Sequence, residues 1–350
     1  MKKLLLLFLL LALLMGCAAP APTQVATQPT TTPESSSLLT VHFLDVGQAD
    51  CILLETDGQY LLIDGGNVAD SSLVVSYLQQ QGVQELSAVI CSHAHEDHVG
   101  GLPGVLAVYP TAAVYAPTRT YSSKVFDDFL YYTDQQGLQI TIPNPGDSFA
   151  FGEACVTVMG PVQSYADPND TSLVLLVQFG TTRFLFTGDM EVQAENDMLD
   201  YWGEGYDWRI DVLKVGHHGS DTSTSYRLLY ETMPAYGVIS VGTGNSYGHP
   251  HERPLSLLQD AGVTLYRTDE MGTILVTSDG SNLTFSAETG NPLIPDKIPE
   301  QNTVYIGNIN SKKLHLEGCS SLPKEENRTY FHSYDEAIAQ GYVPCGKCMG

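Results

Sequence analysis

The sequence predicts an α+β chain: two stacked β-sheets covered by helices, then a small separate C-terminal unit. Three observations predict it. Short apolar runs bounded by Gly, Asp, Asn and Pro recur from Leu39 to Ile274 and alternate irregularly with helical stretches, which suits a two-sheet sandwich flanked by helices. A hydrophobic fraction of 43% in 350 residues is enough for one large core. The stretch from Glu288 to Gln301 is Pro-rich and has no apolar period, which separates the last 47 residues from the rest.

The elements follow in order. Strands are expected at Leu39 to Leu44, Cys51 to Glu55 and Tyr60 to Ile63, then a helix from Ala69 to Gln81 stopped by Gly82. Ala88 to Cys91 reads as a short buried strand leading into a His-rich loop. Beyond the loop come a helix near Gly101 to Tyr109, a strand at Ala113 to Tyr115, a helix at Ser123 to Gln135, and strands around Gln139 to Ile142 and Cys155 to Val158. Ser172 to Phe179 and Arg183 to Thr187 read as a hairpin. A helix near Glu191 to Leu199, strands at Ile210 to Val215 and Tyr236 to Val241, a helix after Pro254, and strands near Leu265 and Ile274 complete the set. No internal repeat is evident.

Residues 1–17 read as an export signal. Lys2 and Lys3 precede an apolar run from Leu4 to Met15, too short to span a bilayer comfortably. Leu14-Met15-Gly16-Cys17 resembles the lipobox of bacterial lipoproteins, which implies acylation at Cys17; an uncleaved signal anchor is the alternative. Either outcome places the protein outside the cell membrane. Residues 18–37, rich in Ala, Pro, Thr and Gln, form a flexible tether. Residues 38–287 are the main domain, 288–303 a linker and 304–350 the C-terminal unit.

Net charge is −24 and lies almost wholly on the main body: Leu38 to Asn302 holds 9 Lys/Arg against 34 Asp/Glu. Such a body repels phosphate backbones at long range, so a nucleic-acid substrate must be held by metal ions or a local patch. Cys51, Cys91 and Cys155 stand alone among apolar neighbours and read as small buried hydrophobes rather than a disulfide framework.

The chemistry concentrates in His93-Ala94-His95-Glu96-Asp97-His98. In an extended stretch His93 and His95 point to one side, while Asp97 and His98, from the following turn, face a second position. Ligands so arranged hold two metals roughly 3.5–4 Å apart, the spacing at which a shared water becomes a nucleophile. Gly100-Gly101 let the chain pass close to such a site.

His-x-His-x-Asp-His-x-Gly-Gly, matched at His93 to Gly101, resembles the signature of the metallo-β-lactamase superfamily over about Leu38 to Ser286, which implies an αββα sandwich and a two-metal hydrolase. The resemblance implies that Asp189, in Phe186-Thr187-Gly188-Asp189, bridges the metals. It also implies a final histidine ligand from His217-His218-Gly219-Ser220, with His217 as ligand and His218 beside the substrate, the reverse assignment being open. Asp64 matches an Asp that orients the His-rich loop. One departure stands out: the family's intervening histidine is missing, since no His occurs from Val99 to Gly216. Asn169-Asp170-Thr171 stands in its place, and Asp170 is either an oxygen ligand or a turn-capping residue.

Phe43 to Asp50, Asn169 to Leu175, His217 to Ser220 and Tyr247-Gly248-His249-Pro250-His251 together resemble the extracytoplasmic domain of the ComEC group, which implies phosphodiester cleavage of DNA or an envelope polymer. Asp97, His218 and His249 are the candidate catalytic residues, His249 standing otherwise as a turn residue. Gln48 and Asp50 line the cleft or set its turn. The alternatives are hydrolysis of a β-lactam or other amide or ester, and a non-catalytic module that binds DNA or polymer. The ions expected are two Zn or Mn.

In the C-terminal unit, His315-x3-Cys319 and Cys345-x2-Cys348 form two ligand pairs, the make-up of a closed tetrahedral zinc site in a unit small enough to need one. Free or disulfide-bonded thiols are the alternative. The spacing resembles the Ada zinc-binding module, with His315 in place of the first Cys, so that module's repair chemistry is not implied.

Overall fold

The computed structural model describes residues 37–292, 304–331 and 334–349. The expected signal 1–17 with Cys17, the tether 18–37 except its last residue, and most of the linker 288–303 lie outside the described residues.

The main body carries strands β1 (Leu39–Phe43), β2 (Ile52–Thr56), β3 (Gln59–Ile63), β4 (Ala88–Ile90), β5 (Val114–Tyr115), β6 (Ile140–Thr141), β7 (Ser148–Phe151), β8 (Ala154–Gly160), β9 (Val174–Phe179), β10 (Thr182–Phe186), β11 (Val212–Lys214), β12 (Tyr236–Ile239), β13 (Thr264–Arg267), β14 (Ile274–Ser278) and β15 (Leu283–Ala287). They form an eight-stranded sheet, β15-β14-β1-β2-β3-β4-β5-β6, and a seven-stranded sheet, β13-β12-β11-β10-β9-β8-β7. The helices are α1 (Ser71–Gln80), α2 (Glu96–Val99), α3 (Leu102–Val108), α4 (Lys124–Gln135), α5 (Val192–Trp202), α6 (Tyr226–Thr232), α7 (Glu252–Asp260), α8 (Thr268–Met271) and α9 (Tyr334–Ala339).

The strand period of two explains the layering. In β9, Leu175, Val177 and Phe179 enter a core shared with Val41, Phe43 and Leu54 of the other sheet, while Val174 and Leu176 face Ala194, Met198 and Leu258 of the helices outside. Leu53 and Leu62 turn the opposite way, toward Val74, Val105 and Phe129. Both sheets are therefore apolar on both faces, and the result is the expected αββα sandwich.

Cys51 and Cys91 are buried, but Cys155 is exposed. The reading of Cys155 as buried fails because alternation in β8 gives Val156 and Val158 to the core and turns Cys155 outward. Short elements also escaped the sequence reading: β7 and β15 at sheet edges, α2, α8, and α6, whose Ser/Thr-rich lead-in hides a helix that Ser225 caps by accepting from Leu228 N.

The C-terminal strands β16 (Tyr305–Asn308), β17 (Lys313–His315), β18 (Arg328–Phe331) and β19 (Val343–Pro344) form a sheet in the order β18-β16-β17-β19. Its core of Tyr305, Leu314, Phe331 and Tyr334 packs against Tyr226 and Tyr230 of α6, and the Tyr226 and Tyr305 hydroxyls hydrogen-bond.

Candidate metal centre

The polar residues that converge here all leave strand ends at one rim of the two sheets. Asp64 follows β3, His93 to His98 follow β4, Asp189 follows β10, and His217 and His218 follow β11. Backbone bonds lock the His-rich loop to its neighbours: Gly65 N donates to His98 O at 2.7 Å and Asp50 N to Asp97 O at 3.1 Å. A Cβ on Gly101 would collide with the Gly65 carbonyl, so the two glycines set how closely the loop approaches.

Asp97, His98, Asp189 and His218 bring one ligand atom each to within 4.8 Å of one another. His98 Nε2 and His218 Nε2 are buried against carboxylates, Asp189 Oδ2 at 3.2 Å and Asp97 Oδ2 at 3.3 Å, while Asp189 Oδ1 has no hydrogen-bond partner. Imidazole nitrogens and carboxylate oxygens packed this closely away from water are a donor set that a divalent cation suits. The outward nitrogens are already used: His98 Nδ1 bonds Asp64 Oδ2 at 2.9 Å and His218 Nδ1 bonds Ser240 O at 2.9 Å. That fixes each ring with Nε2 toward the centre. Asp64 also accepts from Ser92 N and Ser92 Oγ, so one carboxylate orients the whole loop.

The charges agree. Burial works against a charged His98, but Asp189, Asp97 and Asp64 outweigh it and hold its pKa well above the usual value. Burial would raise the Asp97 and Asp189 carboxyls, yet His98 and His218 hold both below the usual range. The centre is thus ionised carboxylate compensated by positive charge, the role a metal fills directly.

His93 and His95 lie beside this cluster, with His93 Nε2 at 3.0 Å from His95 Nδ1 and 3.9 Å from Asp189 Oδ2. Two expected site residues sit differently from the sequence reading. Asp170 lies outside the four-residue cluster, and its Oδ1 accepts from Glu191 N at 3.0 Å, because the amides at the start of α5 need an acceptor. His218, expected beside the substrate, is buried within the four-residue cluster, and His217 is the more exposed of the pair at 22%. Both histidines are left-handed, φ 48° and 52°. Such backbone costs on the order of 1–2 kcal/mol per residue, and it turns consecutive side chains into the same site.

A cleft of ≈ 510 Å³ opens over the centre, lined by Gln48, Asn67, His95, Asp97, Asn169, His217, Tyr247 and His249 among others. Burial, then the neighbouring His217, His251 and His218, push the His249 pKa down to about 4, so its ring is neutral at pH 7. Gln48 Nε2 stands 3.3 Å from His249 Nδ1, and Gln48 Oε1 accepts from Gly242 N.

The sequence reading passed over Lys214. Its side chain is 1% exposed, with Nζ 2.5 Å from Asp50 Oδ2, 4.0 Å from Asp189 Oδ1 and donating to Gly188 O. Asp50 in turn lies 3.4 Å from His218 Nδ1. A lysine inside Val212-Leu213-Lys214-Val215 was the available signal, since buried lysines are paired. Glu191 was also missed; it lies 3.4 Å from His217 Nδ1.

In the C-terminal sheet His315 Nδ1 stands 3.3 Å from Cys319 Sγ, and Cys319 Sγ 4.0 Å from Cys345 Sγ. With Cys348, all four ligand atoms lie within 4.8 Å, spacings that tetrahedral zinc spans with Zn–S bonds of about 2.3 Å.

Comparison with known proteins agrees with this geometry. The family model of the metallo-beta-lactamase superfamily matches residues 44–242, and that of the metal binding domain of Ada matches residues 301–349. The chain is 30% identical over 253 residues to "ComE operon protein 3" of Bacillus subtilis, covering 67% of this chain and 32% of that protein. It is 30% identical over 256 residues to "Competence protein ComA" of Neisseria gonorrhoeae, covering 71% and 33%, and 34% identical over 220 residues to "Recombination protein 2" of Haemophilus influenzae, covering 60% and 25%. The chain therefore spans a third or less of the length of these relatives.

Proposed function

The chain belongs to the metallo-β-lactamase superfamily, and from that premise we propose that it is a two-metal phosphodiesterase, tethered outside the cell membrane, whose substrate is DNA or a chemically similar envelope phosphodiester. The observation that carries the reading is the cluster of Asp97, His98, Asp189 and His218, its imidazole nitrogens and carboxylate oxygens brought together at an open cleft. Divalent ions, when bound, supply Lewis acidity toward a phosphoryl oxygen and a lowered pKa for water.

The chain's own residues do the rest. Asp64 and the Ser240 carbonyl hold His98 and His218 in one tautomer and orientation. Gln48 takes up His249 Nδ1, which leaves Nε2–H of the neutral ring free to donate to a substrate oxygen over the cleft. Asn67, Asn169 and Gln48 offer further neutral hydrogen bonds. The lining contains neither Lys nor Arg among the described residues, so an anionic substrate must be drawn in at the cationic centre itself. The relatives' names, competence and recombination proteins, support nucleic acid as the phosphodiester.

Among the described residues no helix is long and apolar enough to cross a membrane. The proposed tether rests on the order of Lys2-Lys3, the apolar run and Cys17. Cys17→Ser is expected to move the protein from the membrane to the soluble fraction; a variant that stays fully membrane-bound refutes lipidation there. For the activity, protein loaded with Mn or Zn is expected to hydrolyse bis(p-nitrophenyl) phosphate and single-stranded DNA, and Asp189→Asn to lose both. Equal rates in the two proteins would overturn the assignment.

A further inference from the structure

The cleft has no Lys or Arg in its lining, and the acidic body around it repels phosphate, so a polymer substrate must draw its affinity from something other than contacts to its backbone charges. We infer that Tyr247 supplies it, as the platform on which an unpaired nucleobase next to the scissile phosphate stacks. The preferred substrate is then a single-stranded nucleic acid rather than a base-free envelope phosphodiester. This rests on the phosphodiesterase reading above and names its substrate class.

Tyr247 lines the cleft and, at 67%, is the most exposed large hydrophobic side chain among the described residues. Its ring is not isolated. The His249 ring lies 27° from parallel to it with centroids 5.6 Å apart, and the His218 ring lies 25° from parallel to that of His249 at 6.5 Å. Three near-parallel rings thus step outward from the four-residue cluster, which holds His218, to Tyr247 on the cleft wall. A flat base laid against Tyr247 continues the series, and aromatic rings take bases in this way whatever the sequence.

The loop that carries the ring is braced. Asn245 Oδ1 accepts from Tyr247 N at 3.1 Å and from His249 N at 3.0 Å, while Asn245 Nδ2 donates to His249 O at 2.6 Å and to Gly242 O at 2.9 Å. Gly248, at φ 76°, lets the chain turn between the two rings. A base that stacks here has no loop to order first, which preserves the affinity that stacking supplies. Two other occupants fit less well. A quaternary ammonium is held by a cage of several aromatic faces, and Tyr247 is the one Phe, Tyr or Trp in the lining. A base inside a duplex already has both faces covered by its neighbours, so the platform selects unpaired strands.

The test compares two phosphodiesters on metal-loaded, full-length protein: the dinucleotide thymidylyl-thymidine, and glycerophosphoglycerol, whose diester carries no ring. The unaltered protein is expected to prefer the dinucleotide in kcat/KM. Tyr247→Ala is expected to lower that preference about 5–150-fold, the span of one base stacked on one aromatic ring, through a higher KM rather than a lower kcat. Tyr247→Phe keeps the ring and should restore the preference. An unchanged preference in Tyr247→Ala, a Tyr247→Phe protein equally impaired, or an unaltered protein that prefers glycerophosphoglycerol overturns the inference. If neither diester is cleaved, equilibrium dialysis of the dinucleotide reads the subsite by itself. Binding that Tyr247→Ala abolishes then refutes the proposed activity and leaves the stacking platform standing; binding that is absent, or unchanged in Tyr247→Ala, overturns the platform as well.

Discussion

Replacing Lys214 by Met removes one partner of a fully buried ion pair. Lys214 and Asp50 are each 1% exposed, and Nζ also neutralises the field at Asp189 and donates to Gly188 O. Without the ammonium, Asp50 stays buried close to the Asp64 carboxylate, with His218 at 3.4 Å and His98 at 3.8 Å as compensating groups. Breaking such a pair from one side costs about 3–5 kcal/mol. At about 2–4 °C per kcal/mol for a domain of this size, Tm should fall by on the order of 10 °C. The assay is urea unfolding of metal-free protein, for Lys214→Met, Asp50→Asn and the double variant. Removing both charges leaves neither uncompensated, so the double variant should lie at least about 1 kcal/mol above the sum of the singles. A Lys214→Met protein within about 0.5 kcal/mol of the parent, or strict additivity, refutes the pairing as a structural element.

Two further predictions concern the supports of the centre. Asp64→Asn keeps the left-handed backbone at φ 59° but removes the carboxylate behind His98, and is expected to weaken metal binding about 10–100-fold in a chelator competition; unchanged affinity would show that Asp64 does not orient the ring. Glu195 is buried and accepts from Thr224 N and Ser225 N, and burial raises its pKa from 4.5 to about 6 despite the bonds from Ser225. A raised folded pKa means the native state binds the extra proton between pH 4.5 and about 6; stability from this group is present below 4.5 and lost as pH rises through 6, about 2 kcal/mol in all. Glu195→Gln should flatten that part of the stability profile, and an identical slope in the two proteins would contradict it.

What the sequence made legible was what is local. The spacing in His93 to His98, the strand ahead of it and the glycines behind it are near neighbours in the chain, so pattern and geometry coincide. The layering was legible for a similar reason, because alternation within a single strand reveals which faces are buried. Roles set by tertiary neighbours were not. Which of two adjacent histidines turns inward depends on left-handed backbone at both, which no residue preference announces. Asp170 reads equally as ligand or cap, and only the fold brings the start of α5 beside it. Lys214 meets Asp50 across 164 positions of sequence, and Tyr226 meets Tyr305 from a different sheet's core. Cys155 shows the opposite error, since apolar neighbours in sequence said nothing of which face of β8 it occupies.

The most direct test of the centre's chemistry is turnover of two substrate classes by one preparation. Metal-loaded protein, with Asp97→Asn as control, is assayed in parallel on a single-stranded oligonucleotide and on a chromogenic β-lactam. Metal-dependent cleavage of the oligonucleotide, abolished in the control, with no lactam turnover, is the predicted result. Lactam turnover without phosphodiester cleavage would contradict it.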